Sequence, residues 1–323
     1  MKSSTFGALG PVSRLTLGGG GIGIGWGPTT QEEATATIHA AIDGGIDLID
    51  TAPMYNKCEE IVGAAFGGKP PRHVRFTTKC RLGSPAADAV EPMLRASLDA
   101  SLRTMRIEKA AVYFLHTNIC ADDYVFAVRP DMQDSFATRW PLYVERFVPA
   151  MERLKAEGKI DAWGITGIGV PKTILRALNS DPAPGAVQAI ANLLDSAGAL
   201  KRFAERENPR KIIGTAQERG AGVMGIRAVQ AGALTAAIDR QTSPNNPDTR
   251  DYERAAPWRA LCAELGEDPA LLAHRYALSI PGVDTLVLGV KNRVELAQCL
   301  EAERAGPLDP ALLQRIDSLS LRQ

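Results

Sequence analysis

The chain is short of charge imbalance. Lys+Arg and Asp+Glu number 37 each over 323 residues, so the formal net charge is zero. That leaves no electrostatic footprint for nucleic acid or an anionic membrane surface. No run of about 18 apolar residues occurs, so no segment reads as a membrane span. Cysteines are few and scattered: Cys58, Cys80, Cys120, Cys262 and Cys299 include no C-x-x-C pair. Their odd number and spacing argue against a disulfide framework and a zinc site. The four histidines form no metal-like cluster, and neither H-E-x-x-H nor G-x-S-x-G occurs, so no metal is expected. The opening MKSSTFGALG lacks the apolar stretch of a signal peptide, and a reducing, cytoplasmic location is expected.

What is present is ordinary in bulk and regular in order. Hydrophobic residues make up 45% and charged residues 23%, enough for a sizeable core and incompatible with disorder. Short apolar runs alternate with helical patterns. Strands are expected at 14–17, 47–50, 73–79, 111–115, 161–165, 186–190, 222–227 and 283–288. Helices are expected at 31–43 (with Thr30 as N-cap), 58–66, 88–105, 143–157, 172–178, 209–219, 269–279, 293–303 and 310–319. Leu94, Leu98, Leu102 and Met105 mark the buried face of the third. Eight strand–helix units favour a parallel sheet closed as a (β/α)8 TIM barrel in one domain, 1–323, with a doubly wound open sheet as the alternative. Residues 1–11 read as a hairpin closing the barrel floor. Two long connections, 117–141 and 233–257, interrupt the rhythm and suggest functional loops at the C-terminal rim.

Two glycine-rich stretches resemble nucleotide motifs and fail on context. Gly18, Gly20 and Gly23 fit G-x-G-x-x-G, but Gly25, Gly27 and Pro28 follow, so no helix is expected before about Thr30. A dinucleotide fingerprint needs a helix opening on those glycines. GAAFGGK at 63–69 places Pro70 where a P-loop needs Ser or Thr.

The strand ends carry the chemistry, because barrel enzymes place reactive groups there. Asp50 ends the second strand, Tyr55 follows in its loop, Lys79 ends the third, and His116 follows the fourth. Each alone has a structural reading, as a cap, a loop aromatic or a strand-end cation. Together they suit proton and hydride chemistry. A tyrosine has a reference pKa near 10. A lysine about 4 Å away contributes on the order of 4 kcal/mol at an effective dielectric of about 20, enough to bring the phenol towards neutrality. Asp50 would hold Lys79 charged, and His116 would orient a carbonyl oxygen beside Tyr55.

With these residues in view, the chain resembles the aldo-keto reductases along nearly its whole length. The carrying segments are DLIDTAPMYNKCEEIVGAAF, RFTTKC, SLDASLRTMRIEKAAVYFLH, LKAEGKIDAWGIT and PGVDTLVLGVKNRVELAQCL. The resemblance implies a catalytic tetrad of Asp50, Tyr55, Lys79 and His116. It also implies a nicotinamide cofactor lying extended over the barrel mouth. By position, Gln188 would bind the carboxamide, with Thr166 in place of Ser and Gly167 in place of Asn. Gly21, Ile22, Asp50, Val229 and Gly289 would line the cofactor. Ile226 stands where an aromatic often stacks, and Arg227 where a Ser precedes the pyrophosphate loop, so Arg227 would pair with phosphate. Ala111 replaces a common Asp. At the adenosine end Glu295 and Cys299 stand for Arg and Asn, and Glu295 and Lys291 pull opposite ways, leaving NAD(H) or NADP(H) open. Trp26 and Met54, with Tyr55 and His116, would meet the substrate, and Trp140 and Trp258 are further candidates for the mouth. The implied activity is hydride exchange between nicotinamide and a small-molecule aldehyde, ketone or sugar. The alternative is a cofactor-binding redox sensor with little turnover. Neither nucleic acid nor membrane is an expected partner.

Overall fold

The computed structural model describes residues 1–25, 27–240 and 243–322. The chain opens with an antiparallel hairpin of β1 (Ser3–Thr5) and β2 (Pro11–Ser13). Then come β3 (Leu15–Gly18), β4 (Leu48–Asp50), β5 (Arg75–Cys80) and β6 (Ala110–Leu115). A separate parallel pair, β7 (Asn118–Cys120) and β8 (Ala137–Arg139), precedes β9 (Ile160–Thr166), β10 (Ala186–Ile190), β11 (Gly222–Ile226) and β12 (Thr285–Leu288). Strands β3, β4, β5, β6, β9, β10, β11 and β12 close in that order into a parallel barrel, β12 pairing with β3. All eight barrel strands lie where the apolar runs predict them.

Alternation of side chains separates two cores, as strand geometry requires. On β6, Val112 and Phe114 point inward with Leu48, Ala162, Ala186 and Met224. Tyr113 and Leu115 point outward to the helices. The helix Val90–Met105 answers with Leu94, Leu98, Leu102 and Met105 buried, and Tyr113 donates its hydroxyl to Leu94 O at 3.0 Å. Helix Gln31–Asp43 starts where Thr30 accepts from Glu33 N at 3.1 Å.

The N-terminal hairpin closes the floor as expected. Phe6 is fully buried inside the barrel with Val12 and Leu48. Its ring occupies the space above Gly222, where an added Cβ would stand 2.7 Å from ring carbons. Lys2 N donates to Glu303 Oε1 at 2.8 Å, tying the hairpin to the helix Arg293–Ala305.

Several expectations need correction. A one-turn helix, Gly19–Ile22, does form ahead of Thr30. Glycine disfavours helix, but tertiary packing overrides propensity here, since a Cβ at Gly21 would lie 2.0 Å from Val290 O. The barrel topology nonetheless excludes a dinucleotide-binding open sheet. Residues 117–141 are not one open connection: they hold β7, β8 and the helix Gln133–Phe136. Residues 233–257 contain the helix Pro247–Arg254, capped by Asn246. The helix expected at 143–157 begins as a π turn, Tyr143–Phe147, before the α-helix Val148–Ala156. No helix among the described residues is long and apolar enough to cross a membrane.

Candidate active site

Strand register builds the site. Asp50, the last residue of β4, pairs with Thr77 of β5, and Lys79 lies two residues further on the same face. Lys79 is fully buried. Its Nζ donates to Asp50 Oδ2 at 2.6 Å and to Thr51 O at 2.9 Å. The other carboxylate oxygen accepts from Thr77 Oγ1 at 2.6 Å and Gln188 Nε2 at 2.7 Å. A buried charge pair is tolerable only when so fully bonded. Burial alone would depress the Lys79 ammonium, but Asp50 and Tyr55 outweigh it and hold its pKa above the ordinary value.

Tyr55 sits in the loop after β4, where its N donates to Ala52 O and its carbonyl accepts from Cys58 N, both at 2.9 Å. Lys79 Nζ lies 4.6 Å from its ring centroid. His116 meets the same ring edge-on, centroids 5.7 Å apart at 88°. His116 Nδ1 is buried with no hydrogen-bond partner among the described residues. Burial, with Lys79 and Arg81 adding repulsion, pushes the His116 imidazolium down to about 3, so the ring is neutral.

The expectation that Lys79 brings Tyr55 near neutrality does not hold. Burial raises the phenol pKa, Lys79 recovers part of that, and Asp50 opposes it; the balance stays above the ordinary value. A charge-only argument omits desolvation of the phenolate. Tyr55 is therefore a protonated phenol over a charged lysine.

The other expected residues divide. Gln188 joins the site through Asp50. Thr166 lies at the end of β9 and gives its hydroxyl to Leu115 O at 2.9 Å. Gly167 N donates to Gln188 O at 2.7 Å, and a Cβ there would lie 2.8 Å from that oxygen, so Asn has no room. Ile22 is fully buried, so its side chain serves the core. Ile226 packs with Ile168, Ile190 and Phe203. Met54 is exposed in the Tyr55 loop. Gly289 opens onto free space. Trp26 lies outside the described residues.

Arg227 adopts a left-handed backbone (φ 61°), and its guanidinium turns onto Gln230 Oε1 and Asp248 Oδ1, each at 2.8 Å. The backbone N–H groups of Ala228 and Val229, just after it, make no hydrogen bond among the described residues. Such a turn suits an anion. Lys291 pairs with Asp239 and with Glu295 Oε1 at 3.1 Å. Glu295 also accepts from Lys291 N at 2.9 Å, while Asn292 caps Glu295 N at 2.9 Å.

Cys299 is a correction. It is buried, its Sγ 3.5 Å from His274 Nε2, on a helix face turned to the core rather than the mouth. Trp258 is likewise fully buried, donating to Leu234 O at 3.1 Å, and Trp140 stacks with Tyr143 under Arg176. Trp258 thus belongs to the core rather than the mouth.

Two groups of residues escape sequence reading. Asn192, Ser196, Gln230, Asp248 and Asp251 form a buried polar network around Arg227. Ser196 Oγ and Gln230 Nε2 both donate to Asp251 Oδ2, at 2.6 and 2.7 Å. No local spacing signals it, because the two donors to Asp251 lie 21 and 55 residues away from it. Arg81 and Arg202 meet at Phe136. Arg81 carried a signal, two residues past Lys79 on the same alternation.

The model of the Aldo/keto reductase family matches residues 14–321, and the chain belongs to that family. It is therefore an oxidoreductase of a family that uses nicotinamide cofactors. It is 24% identical to the L-galactose dehydrogenase of Arabidopsis thaliana, over 95% of this chain and 90% of that protein. It is 30% identical to an NADH-specific methylglyoxal reductase of Escherichia coli, over 84% and 80%. The fold matches a solved glycerol dehydrogenase of Gluconobacter oxydans with a TM-score of 0.71 at 22% identity, covering 98% of this chain and 94% of that one. It also matches the holo form of an aldo-keto reductase from Bacillus halodurans, with a TM-score of 0.70 at 20% identity, covering 99% and 96%.

Proposed function

We propose that this chain interconverts a carbonyl compound (aldehyde, ketone or sugar) and its alcohol, with Tyr55 as proton donor and acceptor. One observation carries the reading: a fully bonded Lys79–Asp50 pair lies beneath the Tyr55 ring, with the neutral His116 edge-on beside it. A bound nicotinamide supplies or takes up the hydride. In reduction, Tyr55 Oη gives its proton to the carbonyl oxygen as negative charge develops there. The Lys79 ammonium stabilises the phenolate left behind, and Asp50 keeps that ammonium charged and aimed. Neutral His116 offers a ring N–H to the same oxygen without competing for its proton. In oxidation the proton returns to Tyr55.

The cofactor's own groups find partners of the right chemistry. The free N–H pair at Ala228 and Val229 suits a pyrophosphate, and Gln188 with Thr166 suits a carboxamide. At the ribose end Glu295 and Asp239 already neutralise Lys291, two carboxylates to one ammonium. That balance favours an unphosphorylated ribose, hence NAD(H) over NADP(H).

The test is Tyr55→Phe with a panel of aldehydes and sugars. Turnover should fall by about 10²–10⁴, the usual worth of a positioned acid, with cofactor affinity nearly unchanged by fluorescence titration. Unchanged turnover removes Tyr55 from the reaction. Tight cofactor binding with negligible turnover of any carbonyl by the native protein would instead mark a redox sensor. Titrating NADH and NADPH side by side tests the ribose argument, which fails if NADPH binds more tightly.

A further inference from the structure

We propose that the mouth holds a subsite for an anionic group on the carbonyl substrate, a carboxylate or a phosphate ester, built from Arg81 and Arg202 around Phe136. The proposal rests on the hydride-transfer reading above. On β5, Thr77 and Lys79 face the barrel interior, where both bond Asp50. Thr78 faces outward to Glu59, and Cys80 to the outer core. Alternation therefore sends Arg81, the next residue, towards the mouth. It stands near enough to His116 to repel a proton there.

Arg81 lies 5.1 Å from the Phe136 ring centroid and Arg202 4.6 Å from the same centroid. Three rim loops meet in this arrangement, and all three are fixed. Ser84 N donates to Asp134 O at 2.9 Å, and Ser84 Oγ to Ala137 O at 2.7 Å, clamping the Phe136 segment beside Arg81. Thr138 Oγ1 adds a bond to Gly83 O at 2.9 Å. Val128 N donates to Arg202 O at 3.2 Å.

Neither guanidinium forms an ion pair with a carboxylate among the described residues. Arg81 makes no hydrogen bond there either, and Arg202 gives one, to Leu200 O at 3.2 Å. Arg202 Nε is buried with no hydrogen-bond partner among the described residues. Three acids of the surrounding loops are engaged elsewhere: Asp131 with Arg129, Glu207 with Lys201, and Glu205 with the Tyr124 hydroxyl at 2.7 Å. Half-buried Arg210, Arg227 and Arg254, by contrast with half-buried Arg202, each face an aspartate. Two guanidiniums with no carboxylate partner among the described residues thus meet at one ring, Arg81 on the side of His116, and an anion at that ring would compensate both. Their forked N–H groups match the oxygens of a carboxylate or a phosphate ester.

The experiment compares matched substrates: butanal with succinic semialdehyde, and glyceraldehyde with glyceraldehyde 3-phosphate. We expect kcat/KM for one charged member to exceed that of its neutral partner by at least about tenfold at low salt, the preference shrinking as salt is added. The pair showing it tells carboxylate from phosphate ester. Arg81→Gln and Arg202→Met should each cut the charged-to-neutral ratio by about tenfold or more, a readout that a general loop defect leaves unmoved. Arg202→Lys should restore part of it. Calorimetry with succinate and glycerol 3-phosphate, without cofactor, reads the subsite apart from catalysis. Anion binding lost in both variants supports the subsite even if no carbonyl is turned over, a result that would sink only the hydride-transfer reading. No charged preference and no anion binding in the native protein overturn the subsite.

Discussion

The two ends of the barrel interior are filled by opposite means. At the floor, Phe6, Val12, Leu48 and Val112 occupy the space by contact alone. Towards the C-terminal ends of the same strands, Asp50, Thr77, Lys79 and Gln188 occupy it with charge and hydrogen bonds. The two regimes touch where Gln188 Nε2 lies 3.7 Å from Met224 Sδ. Loss of contact at the floor is graded, because neighbours relax into a cavity. Loss of one partner at the mouth strands the other, because a buried charge has no graded substitute.

Lys79→Met should break the comparison hardest. It removes the ammonium and leaves Asp50 buried with only neutral donors. Stability should fall by about 3–5 kcal/mol in urea denaturation, and turnover by orders of magnitude. Phe6→Ala sharpens the contrast from the other end. It should cost a similar 3–5 kcal/mol, yet leave kcat/KM of the folded protein within about twofold, since no group near Tyr55 depends on it. A large activity loss in that variant would show that the ends are coupled.

The acid side should show a smaller effect. His116 titrates near 3 in the folded protein against an ordinary 6.5, so the unfolded chain binds a proton there that the native one refuses. Stability is then fully present above about pH 6.5 and declines as pH falls towards 3, by at most about 1.4 kcal/mol per pH unit for this group. Buried His274, also depressed, adds to the same slope. His116→Gln should flatten the decline, measured as unfolding free energy between pH 4 and pH 7. An unchanged slope would mean that His116 is not held neutral.

Much of this was legible before the structure, for identifiable reasons. Barrel strands buried on both faces read as continuous apolar runs, as AVYFL does in β6, and strand ends name the rim. Asp50, Lys79 and His116 were therefore visible from position alone. The helix Pro247–Arg254 was also announced, by Asn246 and Pro247, but its polar surface hid it. What stayed hidden depends on the third dimension. Burial, not charge, decides the Tyr55 phenol. Cys299 lies on a helix whose facing could not be read from alignment. Arg202 reaches Phe136 from a loop 66 residues further along the sequence, and no spacing rule connects them.

The plugged floor has a consequence for how the molecule is made. Residues 1–13 leave the ribosome long before their partners: Gly222 for Phe6, Asp284 for Ser4 and Glu303 for Lys2, the last two 280 and 301 residues away. Until β12 emerges to seal against β3, the nascent chain carries Phe6 without its seat. Contacts of such long range slow folding, and exposed apolar surface in the meantime invites association with other chains. Closure of the floor thus waits for β12, so a chain cut short before that strand can neither shut the barrel nor hide Phe6.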